Sequence, residues 1–250
     1  MKPSAHAWRL ALAALLFTTP LVQAVADTVV GSGTLQTETR TITGFQAVTL
    51  RGAMNLVLRQ GASEGVEIRA DHNLLPLIET RVIDRAGLPT LEIDTRSGTS
   101  WSTRNEMTVT VSLINLKALT VSGSGDTACE RLKTDSLKAT LSGSGNLKLG
   151  QLDANALDLR LSGSGDAQAG GNVVRVELAI SGSGNADLQR LQADDVGVRI
   201  VGSGDASVYA RRALTVAIAG SGDLSYAGEP AVKSSISGSG SGSVKRLRTR

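Results

Sequence analysis

The chain has 250 residues, 26 Lys and Arg against 23 Asp and Glu, one cysteine, and aromatic side chains at only 2%. That length allows one or two domains, and a lone cysteine excludes a stabilising disulfide within the chain. The scarcity of aromatics and the lack of a basic stripe exclude a nucleic-acid surface, which needs both.

The chain opens on a leader. Lys2 and Arg9 precede the apolar run Leu10–Phe17, then Pro20 and Ala24-Val25-Ala26. This is the charged, apolar and small-residue order of a secretory signal, cut after Ala26. An uncleaved anchor is the alternative, but the run is short for a ~20-residue membrane span. Without residues 1–26 the balance is 24 basic to 23 acidic residues, with Lys245, Arg246, Arg248 and Arg250 near the end. The expected organisation is a signal peptide at 1–26, a linker at 27–41, one domain over 42–245 and a basic tail at 246–250. The expected location is the periplasm or the cell surface, with no transmembrane span once the signal is removed.

Next comes "VTLRGAMNLVL" (48–58), with Val48, Leu50, Leu56 and Leu58 spaced by two. That is strand periodicity. Residues 59–115 alternate apolar and polar positions around a Gly87-Leu88-Pro89 turn and are expected to form a cap or side sheet. Within them, 95–106 reads as a polar exposed loop.

Residues 116–244 repeat. Gly-Ser-Gly begins at Gly123, Gly143, Gly163, Gly182, Gly202, Gly220 and Gly238, a period near twenty; the second glycines include Gly125, Gly145, Gly165, Gly184, Gly204 and Gly222. Self-similarity at this period marks a solenoid, whose units pack only on their neighbours. Two residues before the first glycine stand Val121, Leu141, Leu161, Ile180, Ile200, Ile218 and Ile236. Four after it stand Thr127, Leu147, Ala167, Ala186, Ala206, Leu224 and Gly242, and six after it Cys129, Leu149, Ala169, Leu188, Val208, Tyr226 and Val244. Each unit therefore reads strand, turn, strand, looser corner. Stacked in parallel ~4.8 Å apart, such units make a β-helix with aliphatic inward columns. A propeller needs ~40 residues per repeat, and an immunoglobulin-like sandwich gives no reason for recurring turns. The expected fold is all-β: a parallel β-helix or β-solenoid with coils of 18–20 residues and an N-terminal cap. Gly52 begins a degenerate first coil.

Turn chemistry agrees. Glycine reaches φ > 0 and has no Cβ to strike the coils above and below. The middle serines are expected to hydrogen-bond along their column, as amide ladders do. After the second glycine run Asp126, Asn146, Asp166, Asn185, Asp205, Asp223 and Ser241. Two stacked carboxylates repel by roughly 0.9 kcal/mol even at the dielectric of water. An Asn between two Asp residues can donate to both, so this column is expected to form a ladder.

These residues resemble a bacterial family of unknown function, the putative auto-transporter adhesin head GIN domain. The carriers are the Gly-Ser-Gly-[Asp/Asn] turns, "GAMNLVLRQG" (52–61), "IRADHNLLPLIET" (68–80) and the strand Leu116–Val121. The resemblance spans roughly 42–245; the family's Gly-Ile-Asn segment reads Gly52-Ala53-Met54-Asn55 here. It implies a parallel β-helix-like fold on an exported protein and supplies no catalytic residues. With six residues after Val244, no membrane barrel is expected to follow.

Candidate chemistry is sparse. His72 has no second His or Cys beside it in sequence and reads as a surface or structural residue. Cys129, in an inward column, reads as a buried, inert thiol. Asp205 and Asp223 are the best seat for Ca²⁺, but the Ca²⁺-binding roll has a period of nine, and no metal or cofactor is expected. Polysaccharide cleavage needs two carboxylates across a sugar, with aromatic platforms beside them. Asp194 and Asp195, adjacent on a strand, are expected to point to opposite faces, so no catalytic residue is assigned. Trp101, in its polar loop, either packs on the cap or meets a partner. The functional expectation is a non-enzymatic, adhesin-like scaffold for an envelope protein or glycan. A periplasmic stress or assembly accessory and a carbohydrate-active enzyme are the alternatives.

Overall fold

Period-two apolar residues build strands along almost the whole chain. The computed structural model describes residues 28–237 and 241–247. Residues 1–27, with the expected signal peptide, the seventh Gly-Ser-Gly at 238–240 and residues 248–250 lie outside the described residues. The first strands are β1 (Thr28–Val30), β2 (Leu35–Arg40), β3 (Ala47–Gly52), β4 (Asn55–Gln60) and β5 (Gly65–Asp71). A 3₁₀ turn (Leu75–Leu77) leads to β6 (Ile78–Arg85), β7 (Leu88–Thr95), β8 (Ser100–Ser102) and β9 (Thr108–Leu113). The repeats supply β10 (Ala118–Gly123), β11 (Thr127–Lys133) and β12 (Ser136–Gly143). Four long strands then run round a corner each: β13 (Leu147–Gly163), β14 (Ala167–Gly182), β15 (Ala186–Gly202) and β16 (Ala206–Gly220). The chain closes with β17 (Leu224–Ala227), β18 (Ala231–Ser237) and β19 (Val244–Arg246).

These strands wind a β-solenoid of about six turns with a further sheet at its base. The front sheet holds the strands that end at each first glycine, the back sheet those that follow each turn. Neighbours are parallel and in register: Val121 lies beside Leu50 and Leu141, and Gly123 beside Gly52 and Gly143. The degenerate first coil is thus a true coil. Its inward columns and those above it are buried, including Leu56, Leu141, Leu157 and Ile200. Thr127 occupies an inward column, and its buried hydroxyl has no hydrogen-bond partner among the described residues.

The base differs from expectation. Residues 59–115 do more than cap: β7 pairs in parallel with β3, and β9 in parallel with β4, so together they form a coil beneath the first one. The period fails here because the loop after Thr95 replaces the glycine turn. Beyond this coil, β6 adds to β7, and β5 and β2 add beside β9, all antiparallel. Residues 27–41, expected as a linker, contain β1 and β2. The β6–β7 turn sits at Ala86 and Gly87, both at positive φ, and Leu88 and Pro89 already belong to the strand.

The last coil also departs. Ala219 stacks on Ser237, but Leu224 stacks on Val244, so the offset grows from 18 to 20 residues across the turn. Val244 rather than Gly242 therefore continues the column of Leu224, and Arg246 rather than Val244 that of Tyr226.

Candidate functional site: a polar ladder and a charged groove

Backbone approach explains the two glycines of each turn, for different reasons. Gly143 sits at φ +128°, in the left-handed region. Gly145 does not, but a Cβ there would lie 2.9 Å from the carbonyl carbon of Gly125 in the coil below. Between them the Ser144 N–H donates to the Gly123 carbonyl at 3.0 Å, and the pattern repeats at Ser164. The serines are exposed, and their main-chain N–H groups, rather than the expected hydroxyl column, hold the turns together.

The Asp/Asn column is a ladder, with different rungs from those expected. Each side chain accepts from the backbone N–H one coil further on: Asp126 to Asn55 Oδ1 at 2.9 Å, Asn146 to Asp126 at 3.0 Å, Asp166 to Asn146 at 3.1 Å. The series continues through Asn185, Asp205 and Asp223. The amides of Asn146 and Asn185 donate only to the Asp before them. The final rung is Ser243, not Ser241, because of the longer last turn; its N–H and hydroxyl both reach Asp223 Oδ1. Those Ser243 bonds hold the Asp223 carboxyl below its ordinary value. At Asp205 and Asp223, the disfavoured cation candidates, Asp205 Oδ1 is a rung of the same ladder and accepts the Asp223 N–H at 2.8 Å. Among the described residues no three His, Cys, Asp or Glu side chains cluster as metal ligands.

The front sheet carries a hollow of about 740 Å³ on its outer side. Strands β13 to β16 supply it with Asp158, Arg160, Arg175, Glu177, Asp195 and Arg199 over a floor of Ala179, Ala213 and Ala217. Gly197 opens it, since a Cβ there would stand 3.0 Å from Glu177 Cδ. Arg160 pairs with Asp158 at 3.1 Å, and Arg212 forks onto Asp195. The Arg212 bond keeps the Asp195 carboxyl below its usual range. Arg175, Glu177 and Arg199 are left without an ion-pair partner among the described residues. Nothing in the turn motif pointed to this groove; the signal was Gly197 interrupting a charged outward column.

Asp194 and Asp195 do not point to opposite faces. They fall between inward Ala193 and Val196, where the register with β16 shifts, and both turn outward, onto Arg211 and Arg212. Cys129 is buried between Leu58 and Leu149, and burial pushes its thiol up to about 11.

Trp101 packs on the core from β8, beside Val29 of β1. It also lines a hollow with Asn55, Glu106 and Asp126, so it stands over the start of the ladder. The loop that carries it is pinned by buried Asp71, which accepts from Thr103 Oγ1 at 2.5 Å and Asn105 Nδ2 at 2.6 Å. His72 Nδ1 and Ser32 Oγ share a 2.7 Å hydrogen bond, and Asn73 Nδ2 donates to the Val30 carbonyl. "ADHN" is thus a structural clamp. The Thr103 bond, with smaller help from Asn105, holds the Asp71 carboxyl low against the opposing effect of burial. A lowered folded-state value means its stabilisation is present above the ordinary carboxylate range and lost as pH falls through the folded value. Asp71→Asn is expected to free the loop, seen as faster protease cleavage within 96–106, and to flatten acid sensitivity; unchanged cleavage would refute the clamp.

A parallel β-solenoid with self-satisfied turns and an open charged groove defines the class: a repetitive all-β solenoid. The profile described as "Putative auto-transporter adhesin, head GIN domain" matches residues 44–230. The chain belongs to that family. A crystal structure of a putative adhesin from Bacteroides fragilis is similar at 25% identity and TM-score 0.77, covering 88% of this chain and 100% of that one. A putative lipid binding protein from Parabacteroides distasonis is similar at 25% identity and TM-score 0.72, over 89% and 100% of the two chains. A putative adhesin from Parabacteroides merdae shares the fold at 23% identity, TM-score 0.68, over 89% and 100%. No curated protein matches the chain. No helix among the described residues is long and apolar enough to cross a membrane.

Proposed function

We propose that the protein is an exported, non-enzymatic scaffold that holds an acidic envelope glycan in the groove on its front sheet. In this reading the leader is cut after Ala26 and residues 42–245 act as one body. The observation that carries it is the groove opened by Gly197, with Arg175 and Arg199 exposed and free of ion-pair partners among the described residues. A guanidinium presents a planar fork of donors that suits carboxylate or phosphate. Asp158 and Asp195 are both paired with arginine, which leaves Glu177 without a second free carboxylate for glycosidic chemistry. Binding to immobilised acidic and neutral saccharides tests the reading. The Arg175→Ala/Arg199→Ala double variant is expected to lose at least tenfold in affinity for the acidic ligands, with unchanged melting. Equal binding of neutral saccharides, or an unaffected variant, would overturn it.

The hollow beneath Trp101 favours a second reading, a periplasmic accessory that docks a protein through the cap. Protease shaving of intact cells separates the two: surface digestion supports the adhesin-like reading, and protection until the outer membrane is opened supports the accessory.

A further inference from the structure

The two ends of the solenoid are unlike. At the base, the coil of β7 and β9 gives way to antiparallel strands, and the outermost ones, β6 and β2, carry alternating charges in "IETRVIDR" and "LQTETR". Charged, antiparallel edges resist further stacking of parallel coils. At the other end β18 pairs with β16 alone among the described residues, and all seven of its residues are exposed. Val232 and Ile236 continue the inward columns of Leu214 and Ile218, yet they are 39% and 46% exposed, since no further strand among the described residues pairs beyond β18.

The sequence of β18, "AVKSSIS", is self-complementary when laid antiparallel on a second copy about Ser234. Val232 then faces Ile236, Lys233 faces Ser235, and Ala231 faces Ser237. Both apolar groups find an apolar partner, and the one charge meets a hydroxyl. Moving the centre to Lys233 sets lysine against lysine, which destabilises a strand pair. Moving it to Ser235 sets Ile236 against Ser234 and abandons the match. The inward column that reads Leu159, Leu178, Val198 and Val216 turns to serine at 234, where two copies would bring hydroxyl to hydroxyl across the axis.

We propose that the open end is a homodimer interface, in which β18 of two copies pairs antiparallel about Ser234. A two-fold contact uses the same surface on both copies and closes on itself. The charged base offers no matching edge for a filament. The front sheet becomes continuous across the axis, with both charged grooves on one side. A partner that engages both is held by avidity without any new contact. The interface stands on β18 alone, whatever the grooves bind.

Sedimentation of the purified protein across a concentration series is expected to show monomer and dimer and no larger species. Ile236→Lys, at an exposed position, is expected to weaken the dimer at least tenfold while the melting of the monomer stays unchanged. Ser234→Cys is expected to cross-link under mild oxidation, since directly opposed strand residues fall within disulfide reach. Ser237→Cys, opposite Ala231, is not; buried Cys129 does not compete. Monomer at the highest soluble concentration, filaments, a dimer indifferent to Ile236→Lys, or stronger cross-linking at 237 than at 234 would each overturn the proposal.

Discussion

Gly165→Ala is expected to destabilise the solenoid by about 3–5 kcal/mol, the range of the most damaging single substitutions. The residue is buried in the third Gly-Ser-Gly turn, and a Cβ there would fall within the contact distance of the Gly145 carbonyl oxygen and 3.1 Å from its carbon. That neighbour is backbone in a turn held to the coils on either side: the Gly145 N–H donates to Gly123 O below, and the Ser164 and Gly165 N–H groups above both donate to Gly143 O. Relief requires prying the coils apart at the point where the ladder also binds them. Gly61 is the control, with nothing within 4 Å of its added Cβ, and Gly61→Ala is expected to be close to neutral. Thermal and urea unfolding followed by circular dichroism reads the difference. A Gly165→Ala protein that melts with the wild type would mean that the turns are not close-packed.

Glu92→Ala ranks second. This side chain is only 2% exposed and accepts from Arg81 at 2.7 Å and from Arg85, with Arg51 at 3.5 Å. It draws together β3, β6 and β7, and so fastens the cap to the coil beneath the first repeat. Removing one partner of a buried ion pair commonly costs about 3–5 kcal/mol. The three arginines are 40–50% exposed and keep much of their water, so about 2–3 kcal/mol is expected here. The hydrogen bond from Arg85, ahead of that from Arg81 and against burial, holds the Glu92 carboxyl below its ordinary value. Its contribution is therefore complete above the unfolded-state value and is lost as pH falls through the folded one. Glu92→Gln keeps the shape without the charge and is expected to melt lower at neutral pH, with a shallower decline on acidification. A Gln variant that declines as steeply as the wild type would remove Glu92 from the account.

The solenoid itself was legible because each coil repeats the same demand on the same residues. Leu141, Leu161 and Ile180 recur where a side chain must meet its copy one coil away, and glycine recurs where nothing larger fits. The coil of β7 and β9 was hidden for the opposite reason. Val109 and Leu91 are as buried as any residue in the repeats, but a hairpin and a pinned loop replace the corner and the turn, so no period announces them. β2 was missed because "LQTETR" is a polar edge strand, and its pairing with β5 cannot be read from alternation alone. The groove was hidden because outward positions are free to vary. Gly197 and its charged neighbours follow no repeat, and only stacking brings Arg175, Glu177 and Arg199 onto one face. At Ser243, two inserted residues moved the ladder by one turn of Gly-Ser and defeated simple counting.

The coil of β7 and β9 has a consequence for how the chain comes to be wound. It lies beneath β3 and β4 but is built from residues that follow them, so the base cannot close until Leu113 is available. Every later coil needs only the edge already laid down and about twenty further residues, as in any array of nearest-neighbour units. A chain emerging N-terminus first therefore meets one slow, non-local step and then a series of short local ones. The irregular base is the primer, and the repeats are the extension.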